Sequence, residues 1–283
     1  MDRIVKRNGQ VVPYDGAKIV LAIEKSFLSV KESVDQAYLS DLLEQIEAQF
    51  DGRQEVAVEK ILMKNEKYNV AKSYILYREK RTQMRNDRLE LVKLIGDEEL
   101  EDVLVDIQKT YPDYDLKRLY EKFSTMSKEG QSLKDRITLL TRSSAELTTK
   151  EEPNWERIAG RLLSYSIASD LRATEEKLGL TSFYQKISYM IEQGLYGAYI
   201  LENYSHKEVD EIATLIDNTR NNLFTYSGLD LLSQRYLIRS HQHVLLESPQ
   251  EMYIGIAMHL AMKETNDRIG WVKKFYDLMS LHQ

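Results

Sequence analysis

The amino-acid sequence predicts a mainly α-helical chain that opens on one short β-hairpin and carries a second small hairpin near its end. Three observations predict this. Apolar residues recur at helical spacing in successive windows, and only four prolines and twelve glycines interrupt 283 residues. The dipeptide Asn8-Gly9, set between two β-prone runs, suits a type I′ turn because both residues tolerate positive φ. At this length two or three compact units are expected, and 42% apolar residues beside 30% charged ones can build real cores under a solvated surface.

Ile4–Arg7 and Gln10–Pro13 are the strands of the first hairpin. Alternation puts Ile4 and Lys6 on one face, Val5 and Arg7 on the other. Asp15 is placed to cap a helix bearing Ile19, Val20, Ile23 and Phe27. Lys6, Arg7 and Lys18 then converge where the hairpin meets a helix N-terminus, which suits phosphate; a solvated, purely structural hairpin is the other reading of the same residues. Ser33 caps a second helix with Leu39, Leu42, Leu43, Ile46 and Phe50, which stops at Asp51-Gly52. A third helix carries Val58, Ile61 and Leu62. The fourth holds Val70, Ala71, Tyr74 and Ile75 on one face and runs into the basic cluster Arg78, Lys80, Arg81 and Arg85.

An acidic stretch follows, with Asp97, Glu98, Glu99, Glu101 and Asp102 beside Leu100, Val103, Leu104 and Ile107. It reads as an amphipathic helix with a solvated acidic face, and Tyr111-Pro112-Asp113 breaks it. From Leu116 to Leu171 the pattern echoes the first unit: Glu129-Gly130 parallels Asp51-Gly52, and the run from Trp155 to Leu163 parallels the fourth helix. This is either a diverged copy lacking the phosphate residues or a coincidental helical similarity. Beyond Thr181, Ser205 caps a helix expected to span Tyr204–Asp217. Pro249 fits the first turn of another, with Met252, Ile256, Ala257 and Leu260 as its apolar face, and Trp271, Phe275, Tyr276, Leu278 and Met279 make a last one. His241 and His243, between the β-prone runs Tyr236–Arg239 and Val244–Leu246, read as an exposed hairpin tip rather than a metal pair. The many tyrosines read as core or interface.

Composition narrows the function. A net charge of −6 argues against a general nucleic-acid binder. No apolar run is long enough for a bilayer and no leader-like N-terminus is present, so a cytoplasmic location is expected. With no cysteine, the chain's own residues cannot supply thiol catalysis, iron–sulfur ligation or a zinc ribbon. A phosphate loop of the Gly-x-x-x-x-Gly-Lys-Ser/Thr type is also missing, so a bound nucleotide would be an effector and not a hydrolysed substrate.

Two motifs in order resemble the ATP-cone, a small nucleotide-sensing domain found mainly in ribonucleotide reductases. The first is Ile4-Val5-Lys6-Arg7-Asn8-Gly9 with Pro13-Tyr14-Asp15 and Lys18-Ile19. The second is the Ala71-x-x-Tyr74-x-x-Tyr77-Arg78-x-x-Arg81 element. The run from Phe183 to Tyr253 resembles the all-helical N-terminal domain of the reductase large subunit. The resemblance implies an ATP-cone of hairpin plus four-helix bundle at residues 1–88, a helical segment at 89–180 and the all-helical domain at 181–283, ending before the catalytic barrel.

It further implies that Lys6, Arg7, Val12, Tyr14, Asp15, Lys18 and Lys80 bind ATP or dATP as an allosteric effector, with Mg²⁺ as companion ion. Lys6, Arg7 and Lys18 take the phosphates, Lys80 reaches in from the fourth helix with Arg81 beside it, and Tyr14, Val12 and Ile4 line base or ribose. Two departures are visible: Asn8 replaces the family's Asp, and the residues from Glu55 to Val58 lack a customary Thr. No catalytic residue, metal ligand or redox cofactor is expected in this chain. The implied partners are a catalytic-barrel portion of the large subunit, a radical-generating small subunit and further copies in an effector-dependent oligomer. The chain would then be a regulatory part of ribonucleoside-diphosphate reductase, inactive alone, and either a naturally split or a shortened large subunit. A stand-alone nucleotide-responsive regulator and a ligand-free helical scaffold are the competing readings.

Overall fold

The computed structural model describes residues 3–5, 11–49 and 54–282. The chain divides into two compact units, Met1–Asn86 and Asp87–Gln283.

In the first unit β1 (Arg3–Val5) and β2 (Val11–Pro13) pair antiparallel, with Ile4 opposite Val12. The Asn8-Gly9 turn lies outside the described residues. Four helices follow: α1 (Gly16–Ser29), α2 (Gln36–Ala48), α3 (Gln54–Lys64) and α4 (Tyr68–Ile95), the last running past the division between the units. Their apolar stripes meet in one core of Ile19, Ile23, Phe27, Leu39, Leu42, Ile46, Val58, Ile61, Leu62, Val70, Ala71 and Tyr74, the residues that helical spacing singles out.

Two caps differ from expectation. Asp15 occupies the N-cap position of α1 but makes no capping hydrogen bond, because its carboxylate turns to Lys18. Helix α2 is capped by Asp35, whose side chain accepts from the Tyr38 N–H at 2.7 Å, two residues beyond Ser33. Both outcomes follow from local competition for an Asx or Ser oxygen, which spacing alone does not resolve.

In the second unit the end of α4 contributes Leu91, Val92 and Ile95 to a core shared with α5 (Leu100–Thr110), α6 (Leu116–Met126), α7 (Leu133–Ala145) and α8 (Trp155–Leu178), centred on a fully buried Trp155. The acidic stretch is less free than its composition suggests. Tyr165 and Arg172 of α8 hold Asp97 and Glu99 at 2.5 and 2.7 Å, and Arg161 holds Asp106.

A second core gathers α9 (Phe183–Glu192), α10 (Tyr199–Asn203), α11 (His206–Ala213), α13 (Pro249–Ala261) and α14 (Arg268–Ser280) around Tyr204, Ile254, Met258 and Tyr276. Between them lie a 3-10 helix, Asn218–Leu223, and α12 (Tyr226–Arg235). Ser205 caps α11 as the sequence indicates, in a reciprocal capping box with Glu208, but the helix lasts only eight residues. Ser248 and Glu251 form the same box on α13, with Pro249 in its first turn.

The expected face of α13 holds at Ala257, which is buried, and at Met252, which packs against a core, but not at its other two residues. Ile256 and Leu260 are 40% and 52% exposed, while Ile254, Ala257, Met258 and Ala261 are buried. A helix apolar nearly all round offers no period by which to choose its inner side. His241 and His243 do sit at a hairpin-like tip, where an isolated antiparallel bridge joins Arg239 to Leu245 and His243 adopts φ 61°. The tyrosines divide: Tyr204 is buried and donates to the Met258 carbonyl at 2.7 Å, whereas Tyr199 is 43% exposed. Among the described residues no helix is long and apolar enough to cross a membrane.

Candidate nucleotide-binding site

The β2–α1 junction positions three of the residues expected at the effector site. β2 ends at Pro13, whose ring cannot extend the ladder, so the chain turns through Tyr14 and Asp15 directly into α1. Tyr14 Oη donates to Glu47 Oε1 of α2 at 2.8 Å. Burial, reinforced by that carboxylate, pushes its phenol up to about 12, so it remains a neutral donor and holds the junction against α2. Gly16 makes room beneath it, since a Cβ there would lie 3.4 Å from Tyr14 Oη and 3.2 Å from Leu43.

Asp15 and Lys18 are paired at 3.0 Å, and Lys18's side chain is 82% exposed. The hydrogen bond from Lys18 holds the Asp15 carboxyl below the usual carboxylate range. So exposed a pair is weak, and an incoming phosphate could exchange for Asp15 at the ammonium. The N-terminus of α1 lies alongside without a side-chain cap from Asp15, its Lys18 N–H donating to the Asp15 carbonyl at 3.3 Å.

Lys6 and Arg7 lie outside the described residues. Val12 is placed only as backbone, opposite Ile4. Lys80 stands on α4, where it lines a cleft of about 500 Å³ with Lys25, Lys72 and Tyr77, and none of Tyr14, Asp15 or Lys18 lines that cleft. The neighbouring basic residues have other work. Arg78 is tied to Glu59 of α3, and Arg81 lies over the Tyr77 ring at 5.9 Å. Glu47 escaped sequence reasoning because its partner is 33 residues away and no local pattern marks it.

Comparison with known proteins places both parts of the chain in families. Residues 2–83 match the ATP cone domain family, and residues 222–283 match the ribonucleotide reductase all-alpha domain family. The class is therefore that of proteins carrying an ATP cone ahead of a reductase helical domain. Over 98% of its length the chain is 41% identical to ribonucleoside-diphosphate reductase subunit alpha of Treponema pallidum, of which it spans 35%. It is 30% identical over 58% of its length to the subunit alpha of phage T4, spanning 22% of that protein. It is also 27% identical over 98% of its length to that of Chlamydia trachomatis, spanning 30%. By these domains and relatives the chain belongs to the family of ribonucleotide reductase alpha subunits, covering about a third of the length of those it matches over its whole extent.

Proposed function

We propose that this chain is the N-terminal regulatory part of a ribonucleoside-diphosphate reductase alpha subunit, and that its first unit binds ATP and dATP as allosteric effectors. The observation that carries the proposal is the β2–α1 junction. A solvated lysine at an uncapped helix N-terminus and a tyrosine fixed by Glu47 lie within the stretch that matches the ATP cone. Lys6, Arg7 and Lys18 would hold the phosphates by charge-assisted hydrogen bonds, with Mg²⁺ screening the triphosphate. Val12, Tyr14, Asp15 and Lys80 complete the set.

Regulation then requires each nucleotide to prefer a different assembly, ATP the active one and dATP an inhibited one, since a ligand without differential affinity shifts nothing. The reducing thiols must come from outside these 283 residues, which contain no cysteine. We accordingly place the catalytic barrel, the radical-generating small subunit and further copies of the alpha chain as its partners in an oxidoreductase. Thermal unfolding tests the effector claim. ATP at about a hundredfold its Kd adds about 2.7 kcal/mol to the native state, so the first unit's transition rises in wild type and stays put in Lys18→Ala. A transition indifferent to ATP and dATP in wild type would contradict the reading.

A further inference from the structure

The small hairpin of the second unit, residues 236–246, closes over a carboxyl that has no cation of its own. Glu247 stands where the hairpin enters α13 and is buried. It accepts from the Ile238 N–H at 2.8 Å, and the Ile238 carbonyl in turn accepts from the Leu246 N–H at 2.9 Å, so one residue is tied both to the carboxyl and across the hairpin. The nearby ammonium is already claimed. Lys186 of α9 donates to Glu175 of α8 at 2.5 Å and to both oxygens of Glu251 of α13 at 2.6 and 2.8 Å, and among the described residues no ion pair forms at Glu247.

The other groups around it give no relief. Glu251 faces it from α13 with like charge, and Lys186 from α9 opposes that only in part. Tyr196 faces it from the segment between α9 and α10, where burial pushes the phenol up and keeps it neutral. On the hairpin, Arg239 is turned to the Ser233 and His243 carbonyls, and His241 reaches the Gln193 carbonyl. Ionised, Glu247 is a third carboxylate around one ammonium in a nearly dry site, penalised by like charge and by lost hydration. Water is the remaining source of relief, and the hairpin is its easiest way in. The strands meet through an isolated bridge, Arg239 to Leu245, and residues 241–244 are exposed, whereas α13 is pinned by its capping box and by a core. Two-stranded pairing of this kind is marginal by itself and opens before a packed helix does.

We infer that this hairpin is a pH-gated flap, closed over Glu247 while the carboxyl is protonated and opened to water as it ionises. The device lies in the stretch that matches the reductase all-alpha domain and is independent of nucleotide binding by the first unit. A carboxyl at about 7 when covered and 4.5 when hydrated favours the closed form below 4.5. The closed-to-open ratio then falls about tenfold per pH unit between those values and levels off above the higher one.

Amide hydrogen exchange by NMR on the whole chain, corrected for the intrinsic pH dependence of exchange, tests this. Protection at Ile238, Ser240 and Leu246 falls by at least about tenfold from pH 5 to pH 7 in wild type, while Met258 in the middle of α13 keeps its protection. Glu247→Gln retains an acceptor for the Ile238 N–H, and its hairpin protection stays flat across the same range. Unchanged wild-type protection overturns the inference, as does an equal fall in Glu247→Gln. A parallel fall at Met258 also overturns it, since the whole core would then be opening and not the hairpin.

Discussion

Single side chains in the second unit show how charge withdrawn from water couples stability to pH. Lys186 is 5% exposed and held by Glu175 at 2.5 Å and Glu251 at 2.6 Å. Beside this cluster Glu247, 4% exposed, accepts from the Ile238 N–H at 2.8 Å. Burial, with Glu251 adding to it against Lys186 and the Ile238 N–H, pushes its carboxyl from 4.5 up to about 7.

A folded value above the unfolded one means that its contribution is full below about 4.5 and lost as pH rises through about 7. At about 1.4 kcal/mol per unit, that loss is on the order of 3–4 kcal/mol. Glu247→Gln keeps the acceptor and removes the charge. It should therefore match wild type near pH 4.5 and exceed it above pH 7 in urea-unfolding midpoints. Glu208 behaves oppositely. Its hydrogen bond from Arg268, followed by that from Ser205, lowers it to about 2, so its contribution is present above 4.5 and disappears as pH falls through about 2. Acid titration of wild type against Glu208→Gln should show this slope in wild type only. At the junction, Tyr14, Asp15 and Lys18 were legible as neighbours because they lie within five residues of one another; the Tyr14–Glu47 clamp was not, because it depends on how α2 packs.

Helices carry the legible part of the fold and also its least legible detail. The first unit's core followed from spacing because each stripe is narrow and flanked by charge. The cap at Ser205 and the place of Pro249 in the first turn of α13 followed from the sequence, while the Ser-x-x-Glu boxes that complete both caps are seen in the structure. Helix α13, apolar on both sides, did not reveal its face. Nor does spacing show that α8 lies so close to the segment before α12. There a Cβ on Gly160 would stand 2.9 Å from the Phe224 carbonyl oxygen and 3.0 Å from the Thr225 carbonyl carbon, both backbone atoms that give way only if the segment moves. An exposed helical Gly→Ala gains up to about 1 kcal/mol. At Gly160 the clash reverses the sign, and Gly160→Ala should lose about 1–3 kcal/mol in chemical denaturation. Ser248→Ala, which breaks one cap and leaves packing intact, should lose about 1 kcal/mol.

For the whole molecule, the two units divide the tasks. The first matches the ATP cone and holds the candidate nucleotide residues, whereas the match to the reductase helical domain falls in the second. Assayed alone with a nucleoside diphosphate and a dithiol, the chain should form no deoxynucleotide, since it has no cysteine to carry the reduction. What it should do is bind. Calorimetric titration of the purified chain with ATP and with dATP, beside Lys6→Ala and Lys18→Ala, tests this most directly. Saturable heat in wild type that both substitutions reduce by at least about tenfold in affinity is the predicted result. Absence of binding in wild type, or binding that both substitutions leave unchanged, would contradict it.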